Sequence, residues 1–356
     1  MRTKIFNSKL EKRLQPVNEL WRQYNPEGAR YAFRAKNVQE AKSWQRMTRK
    51  ALARVIGLDR LTTTDPLSRS VERIDKGDYW REKILLRTTT HTLMPVYLLI
   101  PKESDGVPPL VIAFHGHGYG VKDIVGLWEN GEERDIPSGY HKDFAVALCR
   151  SGFVVAAPEI SCFGERQTDF SYLEDSIGGQ APTSCTHAAM LSFHLGMSVV
   201  GLRVHDGMRM LDYLETRTDI DTSRIGAMGI SGGGMHTLFS ACLDTRIQAC
   251  VVSGYFSTFR ESILAMQHCA CNFVPGLGQF GEMHDLVGLI APRPILFEAG
   301  SHDPIFPIQA VRKGVGKARA VYRTFGEGTG ISTDYFEGRH QISGAKAYDF
   351  FKRELR

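Results

Sequence analysis

The chain has 356 residues, 42% apolar and 23% charged, and this composition predicts a folded globular protein rather than a disordered or fibrous one. It contains no apolar run long enough for a membrane-spanning helix, and its N-terminus lacks the apolar core of a secretory signal. The seven cysteines are an odd number and fall mostly in apolar or loop segments, which suits a reducing compartment. We therefore expect a cytoplasmic protein with no membrane partner.

Positive charge is concentrated at the start of the chain. Residues 1–60 contain 15 Lys or Arg and 5 Asp or Glu, a net charge of +10, so the remainder of this +5 chain carries −5. Apolar residues recur at helical spacing over 38–55, with basic residues between them, which predicts a helix on the core with a solvated basic face. No nucleic-acid-reading module accompanies the charge, so we expect no nucleic-acid partner. The extension could instead cover a site or build a homo-oligomer contact.

From about residue 66 the pattern becomes one of strands and then of alternating strands and helices. The predicted strands cover 69–76, 80–88, 93–100, 110–114, 153–157, 225–229, 247–253, 294–299 and 333–336. Helices are predicted over 143–151, 187–217 and after residue 231. Such alternation is typical of a mostly parallel sheet covered on both faces. We predict a helical extension over 1–65 and one α/β domain over 66–356, interrupted by long connections at 159–186 and 256–281 of the kind that usually carry function.

The segment Gly229–Gly233 has the pattern G-x-S-x-G between a predicted strand and a predicted helix. A serine that attacks a carbonyl must stand on a sharp turn with its Oγ exposed, and glycine at 229 and 233 removes side chains that would clash there. The N-terminus of the following helix favours the negative charge that develops on the attacked oxygen. Ser231 is therefore the predicted nucleophile, although a closely packed glycine-rich turn with no further role gives the same pattern.

An attacking serine needs a base and an acid that orients the base. Asp303 and His340 each follow a predicted strand, in the order serine, acid, histidine. We predict that His340 takes the proton of Ser231 and that Asp303 holds the imidazole; alone, Asp303 could be a helix-capping turn residue and His340 an ordinary surface histidine. The weaker alternatives for these two roles are Asp334, Glu298, Asp285 and His302.

Two backbone N–H groups are needed to stabilise the negative oxygen. One is predicted at Gly232, directly after the nucleophile, and the other in the loop after the strand 110–114. We assign the second donor to the His117 amide, with Gly118 as the close alternative.

Histidines and cysteines also raise the question of a metal site. His115 and His117 are two residues apart in a loop with no cysteine or carboxylate partner apparent from the sequence, so we expect them to shape the loop by hydrogen bonding. Cys269 and Cys271 are separated by one residue without a second pair, which is a poor zinc motif. The sequence therefore predicts no metal and no cofactor.

These motifs together resemble the α/β-hydrolase superfamily and, within it, the bacterial acetyl xylan esterase and dienelactone-hydrolase-like serine carboxylesterases. The resemblance covers roughly residues 70–356 and depends on 114–118, 158–166, 224–234, 253–256, 268–276 and 289–294. It implies metal-independent hydrolysis of short-chain acyl esters, acetyl esters above all, of sugars or small alcohols through an acyl-enzyme on Ser231. Arg339 departs from the family, in which glycine commonly precedes the catalytic histidine, and it leaves the role of His340 intact.

Candidates to line the substrate pocket come from several loops: Cys162, Phe163, Tyr255, Phe256 and His268. Side chains of these types more often serve plain packing. The partner we expect is a small-molecule ester. Alternatives on the same fold are a lactone hydrolase, a peptidase and a non-catalytic binding protein, the last of which tends to lose a member of the serine–acid–histidine set.

Overall fold

The computed structural model describes residues 14–104, 106–173, 179, 181–326 and 330–355. Within these residues nine strands form one sheet in the order β1-β2-β3-β5-β4-β6-β7-β8-β9. The strands are β1 (Ser68–Asp75), β2 (Tyr79–Thr89), β3 (Thr92–Pro101), β4 (Pro109–Phe114), β5 (Val154–Pro158), β6 (Asp221–Ile230), β7 (Ile247–Ser253), β8 (Ile295–Gly300) and β9 (Ile331–Phe336).

The sheet is antiparallel at one end and parallel over the rest. Three pairs at this end are antiparallel: β1 with β2, β2 with β3, and β3 with β5. All pairs from β5 through β4, β6, β7 and β8 to β9 are parallel. Each of the nine predicted strands is present within a few residues of its predicted bounds. The prediction of a mostly parallel sheet is therefore confirmed.

Helices cover both faces of the sheet. They are α1 (Val17–Gln23), α2 (Val38–Val55), α3 (Phe144–Arg150), α4 (Ser184–His194), α5 (Val199–Leu214), α6 (Gly232–Leu243), α7 (Met283–Val287), α8 (Ile308–Thr324) and α9 (Ala347–Glu354). Alternate residues of the central strands enter different clusters of buried side chains: Ile112 packs with α2, α5, α6 and α8, whereas Val111 packs with α3 and α9.

The long helical stretch predicted over 187–217 consists of two helices, α4 and α5, at 98° to each other. The break falls at Gly196, whose φ of +68° belongs to the left-handed region that glycine tolerates and other residues avoid. Among the described helices, none alone has the length and apolarity to cross a membrane, and this bent pair meets that test by length and composition only.

The N-terminal extension packs on the same core as the sheet. Ala41 and Leu52 of α2 are fully buried and belong to the cluster that contains Ile112. The basic face is solvated at Arg46 and at other positions, but Arg49 turns inward and donates hydrogen bonds to two backbone carbonyls. The amphipathic pattern thus reflects docking of the helix on the domain.

The strand order reverses at β4, because β5 lies on one side of it and β6 on the other. At such a switch point the loops after adjacent parallel strands diverge and leave a crevice at their carboxyl ends. Phe114 at the end of β4 pairs with Gly229 near the end of β6. The loop that begins at His115 and the turn that contains Ser231 therefore lie side by side.

A buried carboxyl group, that of Glu298 in β8, lies behind this edge. Glu298 is 2% exposed, and its Oε1 accepts a hydrogen bond of 3.0 Å from the N–H of Gly344. Burial raises the pKa of Glu298 to about 7 from the ordinary 4.5, since an ionised carboxylate is poorly solvated there.

The raised pKa of Glu298 predicts a pH-dependent stability. Because the folded state binds this proton more tightly than the unfolded chain, the contribution of Glu298 to the free energy of unfolding should be fully present below about pH 4.5 and should be lost, by roughly 3 kcal/mol, as the pH rises through about 7. Glu298→Gln keeps an acceptor for Gly344 without the charge and should lack this decline. Denaturant unfolding at several pH values measures the effect, with the exposed Glu103→Gln as control; parallel curves for wild type and Glu298→Gln would contradict the assignment.

Candidate active site

Ser231 occupies a strained turn between β6 and α6. Its φ of +58° and ψ of −121° are unusual for a residue with a side chain, and it is 8% exposed. A Cβ atom on Gly229 would overlap the backbone of Gly233, and one on Gly233 would overlap the carbonyl of Phe114. Glycine at both positions is therefore required for the close approach that holds the serine at the edge of the sheet.

Asp303 and His340 come together after β8 and β9. Asp303 Oδ2 accepts a hydrogen bond of 2.7 Å from His340 Nδ1, and Oδ1 accepts from the N–H groups of Ile305 and Phe306 at 2.9 and 3.0 Å. The imidazole lies between the rings of Tyr140 and Phe306, with centroids 5.5 and 5.7 Å away. In the part of the chain that the structure describes, Nε2 of His340 has no hydrogen-bond partner, so this nitrogen is left to accept a proton.

Ser231 and His340 line one cavity of about 260 Å³. Two of the predicted substrate-binding residues, Tyr255 and His268, line the same cavity. Burial lowers the pKa of His268, and the nearby His340 lowers it further, so a neutral imidazole is favoured at this wall. The other lining residues are His117, Tyr140, Gly232, Gln267, Cys269, Asn272, Ile305 and Phe306.

The two residues to which the backbone donors are assigned, Gly232 and His117, lie side by side at the cavity. The His117 ring contacts Gly232, since a Cβ there would lie 3.2 Å from it, and both residues line the cavity. A Cβ on the exposed Gly118 would instead meet Asp123 Oδ2 at 2.9 Å. Of the two alternatives for the second donor, the geometry thus brings His117 rather than Gly118 beside Gly232.

The loop after β4 is fixed by other polar groups. Gly116 donates its N–H to His141 Nε2 at 2.8 Å, and the hydroxyl of Tyr140 donates to the carbonyl of His117 at 2.5 Å. The two ring nitrogens of His115 contact the carbonyl of Gly116 at 2.8 Å and the N–H of Ile160 at 3.0 Å. His115 therefore shapes the loop by hydrogen bonding, as its position in the sequence suggested.

Three predicted pocket residues lie elsewhere, and their assignment to the pocket is wrong. Phe256 is 2% exposed in the core and stacks on Phe297 with centroids 4.0 Å apart. Phe163 packs edge-on against the rings of His115 and His117, behind the cavity wall. Cys162 packs in a small cluster with Cys185 and Cys271.

Tyr140 and Phe306 are site residues that the sequence did not reveal. Tyr140 belongs to an irregular segment between β4 and α3, and Phe306 follows Asp303 in an irregular turn, so neither has a periodic pattern that predicts its direction. The proximity of Phe306 to Asp303 along the chain was the only signal for either.

The alternative acids and the alternative base are occupied by other contacts. Asp334 accepts from Ser343 Oγ at 2.6 Å, and both carboxyl oxygens of Asp285 accept from backbone N–H groups. Glu298 is bound to Gly344, and the exposed His302 pairs with Glu337. The pair Asp303–His340 is the one that reaches the cavity.

The expectation that His117 lacks a cysteine partner is wrong. Its Nε2 lies 3.9 Å from Cys271 Sγ, and Cys271 Sγ lies 3.3 Å from Cys269 Sγ. Burial lowers the pKa of His117, but hydrogen bonds with the two cysteines outweigh burial and raise it to about 9. Hydrogen bonds from Cys185 and Cys269 lower the pKa of Cys271, although burial opposes them.

Comparison with known proteins identifies the family of this chain. The model of the Abhydrolase family matches residues 17–314, most of the chain. Among curated proteins, YtaP of Bacillus subtilis (strain 168), whose name describes it as a hydrolase, is 30% identical over 283 residues, which cover 77% of this chain and 86% of that protein.

Solved structures share the architecture. A Bacteroides fragilis NCTC 9343 protein described as an acetyl xylan esterase superposes with a TM-score of 0.74 at 17% identity, covering 99% of this chain and 92% of its own. A glucuronoyl esterase from Solibacter usitatus superposes with a TM-score of 0.64 at 14% identity, covering 93% and 100%. These likenesses confirm the predicted α/β-hydrolase fold, and the family match shows that the chain belongs to the Abhydrolase family.

Proposed function

We propose that the protein hydrolyses carboxylic esters through a covalent acyl-enzyme on Ser231, with His340 as general base and acid and Asp303 as the group that orients it. The observation that carries the proposal is the common cavity, which is lined both by the strained Ser231 and by His340, whose Nδ1 is held by Asp303. Esterases among the structural neighbours and a hydrolase among the relatives support this reaction class.

The proposed reaction has two stages, acylation of Ser231 and hydrolysis of the acyl-enzyme. His340 Nε2 takes the hydroxyl proton as Ser231 Oγ bonds to the ester carbon, and the carbonyl electrons move onto the oxygen, which the N–H groups of His117 and Gly232 stabilise. Collapse breaks the bond to the alcohol oxygen, which receives the proton from His340 and leaves. Water, deprotonated by His340, then attacks the acyl-enzyme, and the carboxylic acid and the free serine are regenerated.

The cavity favours a small acyl group. Its volume of about 260 Å³ lies below the roughly 300 to 1,000 Å³ of sites for larger ligands, and Tyr255, Phe306 and Ile305 form apolar parts of its wall. We infer short-chain esters, acetyl esters of sugars or small alcohols first, as substrates. p-Nitrophenyl acetate and acetylated xylo-oligosaccharides are the substrates to measure, with a glucuronate methyl ester as the comparison.

Removal of the nucleophile or of the base should abolish hydrolysis. Ser231→Ala and His340→Ala should each lower kcat for p-nitrophenyl acetate on the order of 10⁴-fold or more, since members of such a set act as a unit. The exposed Ser223→Ala is the control and should keep wild-type activity. Covalent labelling by a fluorophosphonate should occur in wild type and be lost in Ser231→Ala; an unlabelled, inactive wild type would indicate a binding protein instead.

The orienting acid can be identified by a matched pair of substitutions. Asp303→Asn should lower kcat about 10²- to 10⁴-fold, because the amide favours the wrong imidazole tautomer. Asp334→Asn alters an equally buried carboxyl group that binds Ser343 and should change kcat little. The reverse result, with a large loss only in Asp334→Asn, would assign the role to Asp334.

The hydroxyl of Tyr140 should contribute through the loop that it anchors. Tyr140→Phe removes the bond to the His117 carbonyl and loosens the second oxyanion donor, so kcat should fall about tenfold, less than the loss of a whole donor. KM should change less than kcat, because the contact acts on the transition state. Steady-state kinetics beside the exposed control Tyr172→Phe measures this; an unchanged kcat would show that the anchor is dispensable.

A further inference from the structure

We propose that His117, Cys185, Cys269 and Cys271 form a structural zinc site. The three sulfur atoms and a ring nitrogen of His117 all lie within 4.8 Å of one another. Three cysteines and one histidine are a common ligand set for structural zinc, and thiolates select soft metals over magnesium or calcium.

The spacing of the ligand atoms suits one tetrahedral ion. Zinc bonds of about 2.3 Å to sulfur and about 2.0 Å to nitrogen separate neighbouring ligand atoms by roughly 3.5 to 3.8 Å. The distance from Cys269 Sγ to Cys271 Sγ is 3.3 Å, and that from Cys271 Sγ to His117 Nε2 is 3.9 Å. Small side-chain rotations would bring all four atoms to an ion at their centre.

A buried cation supplies an independent argument. Arg203 on α5 is 1% exposed, and no carboxylate of the described residues lies within ion-pair distance of its guanidinium. Its Nη2 donates to the carbonyl of Ser161 at 3.3 Å and lies 3.6 Å from Cys185 Sγ, whereas Nε and Nη1 have no partner among the described residues. A buried guanidinium requires a compensating negative charge. Three thiolates with one divalent ion carry −1, which balances the +1 of Arg203.

Contacts made to the ligand residues by a neighbouring side chain also fit a metal site. Asn272 Nδ2 lies 3.9 Å from Cys271 Sγ and donates to the carbonyl of Cys269 at 3.1 Å, so it holds the turn that presents both sulfurs. Such contacts orient ligands and tune thiolate charge. With four protein ligands the ion has no open position, so it would stabilise the structure and leave the ester chemistry to Ser231.

The site would join three segments that are distant in the chain. Cys185 lies at the end of the first long connection and the start of α4, and the pair Cys269 and Cys271 lies in the second long connection. His117 belongs to the loop that we assign to the oxyanion hole. Binding would therefore fix both connections and the His117 amide against the end of the sheet.

Metal content tests the proposal without reference to esterase activity. The full chain, purified from zinc-supplemented growth with its thiols kept reduced, should contain about one zinc per chain by mass spectrometry of the metal. Replacement of zinc by Co²⁺ alone should give thiolate-to-cobalt charge-transfer absorption. A fully reduced wild-type chain that binds neither ion, or one with a disulfide between Cys269 and Cys271, would overturn the proposal.

Variants test the ligand assignment. Cys185→Ala and His117→Ala should each weaken zinc binding by at least about 10- to 100-fold, measured in competition with a chromophoric chelator. Substitution of residues that only contact metal ligands already has an effect of this size in other proteins. Cys162→Ala, beside the cluster but outside the ligand set, and the distant buried Cys149→Ala should retain zinc. Circular dichroism of each variant shows that it has folded. Zinc lost from Cys162→Ala and kept in His117→Ala would overturn the assignment.

Discussion

The close approach of two backbones at the carboxyl ends of β4 and β6 is the constraint on which the site depends. Phe114 pairs with Gly229, and Gly233 packs under the Phe114 carbonyl where any side chain would overlap it. The nine-stranded sheet holds this contact, and it offsets the roughly 1 to 3 kcal/mol that the left-handed conformation of Ser231 costs. Gly232 and His117 then line one cavity because the two strands that precede them are neighbours.

The histidines at this edge of the sheet differ in the hydrogen-bond partners of their ring nitrogens. This difference distinguishes a histidine with a structural role from one that can transfer a proton. His141 is fixed on both sides, by Asp123 Oδ2 at 2.8 Å and by the Gly116 amide, and burial lowers its pKa, so it stays neutral and holds the loop. His340 lines the cavity, with one nitrogen fixed by Asp303 and the other without a hydrogen-bond partner among the described residues. Only the second arrangement can accept a proton and return it.

Features that depend on short sequence patterns could be predicted from the sequence. Alternation of strands and helices gave the nine strands, and the G-x-S-x-G spacing with the order of Asp303 and His340 gave the residues that the structure brings to one edge. The sequence could not predict which side chains beyond a strand end turn inward, since Phe256 and Tyr255 are adjacent yet only Tyr255 reaches the cavity. It also missed contacts between distant segments, such as the one between His117 and Cys271, 154 residues apart.

The distribution of charge links the cysteine cluster to the reaction. A cluster with net charge −1 beside the His117 amide would repel the negative charge that develops on the attacked oxygen. This repulsion is strong in the protein interior, because a medium of low dielectric constant screens charges weakly. Arg203 counters this effect: it contacts Cys185 on one side, and a Cβ on Gly232 would lie 3.8 Å from its Nη1 on the other. The buried guanidinium of Arg203 would thus neutralise the proposed cluster next to Gly232, so that the cluster does not oppose the negative charge of the transition state.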